Sequence, residues 1–145
     1  MNKYPMFFGT GGKIIFLKKD FKHVIVRLKL NLWTYNYVGT IFGGSQFAAL
    51  DPFHMVLLIN CLGKDYVILD KAGSIKFKKP GKGTIQAEII YTDEELQSIR
   101  EETNKTGRYE FTKSVDWKNQ EGEVISTLEK TVYVATKEYF KNRKK

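Results

Sequence analysis

The chain has 145 residues, with 24 Lys and Arg against 16 Asp and Glu, a formal net charge of +8 with histidine neutral. That length suits one domain, and 42% hydrophobic with 14% aromatic residues exclude a disordered basic tail, because so much apolar surface can fill a core. One cysteine, Cys61, excludes an intrachain disulfide framework, and with two histidines, His23 and His54, there are too few soft ligands for a Cys/His zinc site, so no metal is expected.

Residues 1–9 carry no apolar run of the roughly 7–15 residues that a secretory signal needs after its positive charge, which predicts a cytoplasmic protein. Lys13–Leu17 reads as a strand that turns through residues 18–22 into a second strand over 23–31. There Val24, Val26, Leu28 and Leu30 face one way and Arg27, Lys29 and Asn31 the other. After an aromatic-rich link over 32–41, residues 43–61 are apolar on nearly every face, which predicts a long helix enclosed by a curled sheet. The surrounding stretch, 41–62, is long enough to cross a bilayer. It carries Gln46, Asp51, Pro52 and His54 near its centre, however, and an acid alone would cost about 2.5–3.5 kcal/mol there, so no membrane is expected. Pro52 removes a backbone donor and should kink the helix beside its only carboxylate, Asp51.

Four more alternating runs follow, Tyr66–Phe77, 84–91, 108–117 and Val124–Thr136. The joints over 78–83 and 118–123 both read as hairpins. Between the pairs, Thr92-Asp93-Glu94-Glu95 is a capping box opening a helix of about three turns that Gly107 closes. The predicted order is ββ–α–ββ–α–ββ, an α+β chain. The tail, residues 137–145, holds five positive charges in nine residues and is expected to fray.

Gly43 and Gly44 expose unpaired amides at the positive end of the long helix, where a carbonyl oxygen or an anion can dock. Asp51, a carboxylate in an apolar helix, suits a base or nucleophile. Eight residues at the helical rise separate the two by roughly 12 Å, so they cannot meet within one chain. A second, antiparallel copy would bring Gly43 of one chain near Asp51 of the other, which makes a homodimer part of the expectation. Lys76, Lys78, Lys79 and Lys82 around one turn are candidate phosphate partners. His54, three residues after Asp51, and Cys61, roughly 10 Å further along the helix, read as core residues rather than a nucleophilic triad.

The run Asn36-Tyr37-Val38-Gly39-Thr40-Ile41-Phe42-Gly43-Gly44, followed by Asp51, resembles the N-x-x-G-x-x-H-G-G-x6-[DE] signature of hotdog-fold acyl-CoA thioesterases. Gly39 to Ser45 with Asp51-Pro52 is more similar still to an uncharacterised thioesterase-like hotdog family that keeps T-x-F-G-G and D-P here. The resemblance spans about residues 12–136 and implies a hotdog fold, a long helix wrapped by an antiparallel sheet. It implies Asp51 as catalytic carboxylate, Gly43 as the amide that polarises the thioester carbonyl, and Asn36 as a group orienting water or the carboxylate. The sequence departs from the signature at Phe42, where many relatives have histidine.

Each candidate has a plainer role beside the functional one. Asp51 can bond backbone freed by Pro52, Asn36 can satisfy its own loop, and Gly43 and Gly44 can allow close packing at an interface. Phe42, Phe47, Trp33, Tyr35 and Tyr37 can line an acyl pocket or simply pack. The lysines can be solvated or blunt a sheet edge. A basic pI near 9.5 without a nucleic-acid motif predicts no nucleic-acid partner. The expectation is a domain over 1–145 that hydrolyses an acyl thioester, with coenzyme A as part of the substrate and no separate cofactor. It would act as a homodimer, or as a tetramer of two dimers. Its substrate contacts would include Phe42, Gly44, Phe47, Lys78, Lys79 and Lys82. The alternatives are a catalytically silent acyl-CoA or acyl-carrier-binding protein and a dehydratase or hydratase of the same fold, whose usual histidine is not evident.

Overall fold

A computed structural model describes residues 2–143. In chain order it has α1 (Pro5–Phe8), β1 (Lys13–Leu17), β2 (His23–Lys29), α2 (Gly43–Ala48), α3 (Phe53–Leu62), β3 (Tyr66–Phe77), β4 (Thr84–Ile90), α4 (Asp93–Thr106), β5 (Arg108–Lys118), β6 (Val124–Thr136) and α5 (Lys137–Asn142). The six strands form one antiparallel sheet in the order β1-β2-β4-β5-β6-β3. Alternation decides its inner face: Val24, Val26 and Leu28 of β2, Ile85, Ala87 and Ile89 of β4, and Leu128, Val132 and Val134 of β6 are buried. Gln46 fastens α2 to that face. Its carbonyl accepts from Trp117 Nε1 at 2.9 Å, its side-chain oxygen from Ser126 Oγ at 2.6 Å, and its amide donates to the Ile41 carbonyl at 3.1 Å.

Apart from α1, which the sequence did not predict, the predicted element order holds, with five departures. First, the long helix is two helices. Pro52 has no N–H, and the chain between Ala48 and Phe53 closes instead through Leu50 N–H and Asp51 N–H to the Phe47 carbonyl and Phe53 N–H to the Leu50 carbonyl. The kink expected at Pro52 is a full break, and Asp51 lies in it. Second, α3 is not enclosed all round: Phe53, His54, Leu57, Leu58 and Leu62 are buried, whereas Ile59 and Asn60 face out.

Third, residues 78–83 are not a hairpin, because β3 pairs with β6 and β4 with β2 and β5. The segment crosses the end of the sheet. Lys78 and Lys79 donate to the Ile125 carbonyl, while the Gly81 and Gly83 carbonyls accept from Ile41 and Leu30. The 118–123 joint is the hairpin between β5 and β6. Fourth, α4 runs for 14 residues, more than three turns, from the predicted capping box (Glu95 N–H to Thr92 Oγ1 at 3.1 Å, Thr92 N–H to Glu95 Oε2 at 2.9 Å) to a left-handed Gly107. Fifth, the tail is ordered as α5 through Asn142. Thr136 Oγ1 caps it at Tyr139 N–H, Lys137 N–H bonds the Asp65 carbonyl, and the Tyr139 ring packs where a side chain on Gly107 would be. Lys144 and Lys145 of the predicted frayed end lie outside the described residues. Among the described residues no helix is long and apolar enough to cross a membrane.

Candidate functional site

Asp51 leaves the helix axis at the Pro52 break, and its carboxylate reaches β6. Lys130 Nζ lies 2.6 Å from Asp51 Oδ1 and 3.1 Å from Asp70 Oδ2 of β3. The Lys130 side chain is 3% exposed, that of Asp51 45%, so the apolar burial expected of Asp51 is not found in the single chain. The buried charge is the lysine. Burial pushes its ammonium down, but the hydrogen bonds to Asp51 and Asp70 outweigh that and hold it above the usual lysine range. Asp51 Oδ2 bonds no described residue, and Asp51 lines a groove of about 680 Å³ together with Tyr4, Pro5, Met6, Pro52, Met55 and Val56. α1, which has no counterpart in the sequence reading, forms one wall of it.

Gly43 sits elsewhere. The first helical bond of α2 is Gln46 N–H to the Phe42 carbonyl at 3.2 Å, and no side chain caps the helix, which leaves the amides of Gly43, Gly44 and Ser45 before it without a helical acceptor. Aromatic rings crowd both glycines: a Cβ on Gly43 would stand 2.5 Å from Phe77 Cζ, and one on Gly44 2.3 Å from Phe42 Cε1. Phe42 and Phe77 are themselves more than half exposed. A cleft of about 430 Å³ beside Gly43 is lined by Asn36, Thr40, Phe77, Lys78 and Lys79.

Asn36 spends its side chain on its own loop. Oδ1 accepts from Val38 N–H at 3.1 Å and Thr40 N–H at 2.9 Å, and Nδ2 donates to Thr40 Oγ1 at 2.9 Å. Lys79 pairs with Glu123 at 2.5 Å, and Lys79 and Lys82 both line the depression next to the cleft. Phe47 lies one turn further along α2, against Gly73 of β3, its ring centroid 5.8 Å from Lys130 Nζ. The chain therefore gathers Asn36, Gly43, Lys78 and Lys79 on one cleft and puts Asp51 and Phe47 with Lys130. Cys61 and His54 have different neighbours: the sulfur lies 3.5 Å from the Asp20 and Phe21 carbonyls, and His54 Nδ1 lies 2.8 Å from the Tyr91 hydroxyl. Burial pushes the Cys61 thiol up, against a nucleophilic role.

Sequence reasoning missed Lys130 and Asp70. The signal was there: Lys130 shares the inward phase of Leu128 and Val132, and Asp70 that of Ile68. A lysine in the buried phase of a strand requires a carboxylate.

Residues 1–134 match the family model of a domain of unknown function, DUF4442, and the chain belongs to that family. No curated protein matches. Among similar solved structures is a Pseudomonas aeruginosa protein of unknown function called a probable thioesterase, 18% identical with a TM-score of 0.79, covering 92% of this chain and 89% of that one. A thioesterase from Haemophilus influenzae is 15% identical with a TM-score of 0.65 over 89% of this chain and 81% of its own. A mutant of the phenylacetic acid degradation protein PaaI from Thermus thermophilus is 14% identical with a TM-score of 0.63, over 90% and 98%. The architecture they share with this chain is the hotdog fold.

Proposed function

We propose that the protein hydrolyses an acyl thioester, with coenzyme A as the acyl carrier, at a site that two copies of the chain complete. The observation that carries this reading is Asp51: one carboxylate oxygen is fixed by a buried ammonium, and the half-exposed side chain lines an apolar groove of about 680 Å³. The groove suits the acyl chain. In the reaction, the thioester carbonyl docks on the Gly43 amide of one protomer, which stabilises the oxygen as negative charge develops there. Asp51 of the other protomer takes a proton from water, the water oxygen bonds the acyl carbon, and the carbon–sulfur bond breaks as the thiolate leaves and takes up the proton. Direct attack by Asp51 on the acyl carbon, followed by hydrolysis of the anhydride, uses the same geometry. Asn36 contributes by holding the loop before Gly43 rather than by touching water, since its side-chain bonds are all within that loop. Lys78 and Lys82 offer ammonium groups to the phosphates of the carrier, and the +8 charge favours its approach in the cytoplasm.

The test is turnover of an acyl-CoA panel from acetyl to palmitoyl and aryl. Asp51→Asn should lower kcat/KM at least about a hundredfold, the low end for loss of a general base, with folding intact; hydrolysis unchanged in the variant overturns the assignment. Phe42 favours a second reading, a silent acyl-CoA-binding protein. A ring, not an imidazole, packs over Gly44. Tight acyl-CoA binding without turnover by the natural chain would select it.

A further inference from the structure

We propose that Lys130 is the positioning residue of the site: held between Asp51 and Asp70, its ammonium fixes Asp51 by Oδ1 and so sets how that carboxylate stands in the wall of the groove. The proposal rests on the reading of Asp51 as the reacting carboxylate. Three features show that the arrangement is built. Lys130 is almost wholly enclosed, at 3% exposure, and its Nζ has both carboxylates in hydrogen-bond range, at 2.6 and 3.1 Å. Its stem passes a place that admits no side chain: a Cβ on Gly73 of β3 would lie 3.1 Å from Lys130 Cδ and 2.8 Å from Phe47 Cζ. Asp70 Oδ1 is enclosed and has no donor among the described residues, so Asp70 depends on Lys130 for its charge balance. Two carboxylates around one ammonium leave a single net negative charge, and Asp51 is the more exposed of the two acids, at 45% against 24% for Asp70.

A structural tie among β3, β6 and the helix break would use the same contacts, so the test has to separate anchoring from aim. Lys130→Met alone leaves two carboxylates without their cation and should destabilise the protein. Lys130→Met with Asp70→Asn removes one charge of each sign, restores the net charge of the cluster and should recover the denaturation midpoint. If Lys130 positions Asp51, the double variant regains stability but keeps a kcat reduced about a hundredfold at unchanged KM, the scale of a misplaced reacting group. Asp70→Asn alone, which leaves Lys130 on Asp51, should keep a kcat at least about tenfold above that of the double variant. A double variant that recovers turnover along with stability overturns the positioning role and leaves the thioesterase reading standing. Turnover unaffected by Asp51→Asn, measured in parallel, overturns that reading and the positioning role with it.

Discussion

His54 and Lys130 are both buried, and their neighbours give them opposite charge states. Lys130 has two carboxylates. His54 has the Tyr91 hydroxyl on Nδ1, no described partner on Nε2, and the cations of Lys113 and Lys130 near it. Burial first, and those cations second, bring its pKa down from 6.5 to about 4. Burial also pushes the Tyr91 hydroxyl up, so the phenol keeps its proton. The unfolded chain takes up a proton at His54 near pH 6.5, whereas the folded chain does not until about pH 4. The neutral imidazole thus contributes stability that is whole above the unfolded value and drains away as pH falls through this window, by up to about 1.4 kcal/mol per pH unit. Urea unfolding of the natural chain and of His54→Leu between pH 7 and pH 4.5 checks this. The loss of stability toward low pH should be shallower in the variant by that amount, whatever the offset from leaving the Tyr91 hydroxyl unpaired, and parallel curves would contradict it.

At the scale of elements, α4 shows what a sequence can say by itself. Its start is set by two reciprocal bonds three residues apart and its end by a glycine at φ +83°, all local signals. Thr92→Ala should cost about 1 kcal/mol in a urea titration; a variant with an unchanged midpoint would mean that tertiary packing alone fixes the helix. The strands were legible for the same reason, since alternation is local. Their pairing was not. Residues 78–83, with Pro80 and Gly81, look like a turn between two alternating runs, yet β3 (12 residues) pairs along its length with β6 (13 residues), leaving the shorter β4 (7 residues) to β2 and β5. That choice depends on a strand almost fifty residues away in sequence. Asp51 was legible as the one acid of the apolar stretch. Its partner was written in the phase of Lys130, but only the register of β6 against β3, bulged between Asp70 and Ala72, brings lysine and both acids together. Asn36 was legible as a residue and not as a role: its three side-chain bonds all close the loop that Gly39, at φ +80°, allows to turn.

The whole molecule presents β3 as a sheet edge, with Leu69 and Phe77 exposed along it and the backbone from Ala72 to Ser74 open on the side away from β6. Long open edges of this kind are paired or covered in stable proteins, and a twofold copy would cover this one. The chain also lays Gly43 and Asp51 on separate cavities, so the proposed reaction needs a second copy to bring them together. Two inactive variants can test whether the halves combine. Asp51→Ala removes the carboxylate, and Gly43→Pro removes the amide hydrogen at the first helical position, where proline is well tolerated and the extended Phe42 before it (φ −56°, ψ 130°) accepts one. The ring that a new Cβ would meet there, Phe77, is more than half exposed and free to swing aside. Each variant alone should be inactive. Unfolded and refolded together, or co-expressed at equal levels, they should form half mixed dimers with one intact site of two, and so recover about a quarter of the natural turnover. Recovery of that size requires a carboxylate from one chain and an amide from the other. Failure to recover, with mixed dimers demonstrated by differential tags, would put both halves of the chemistry in a single chain.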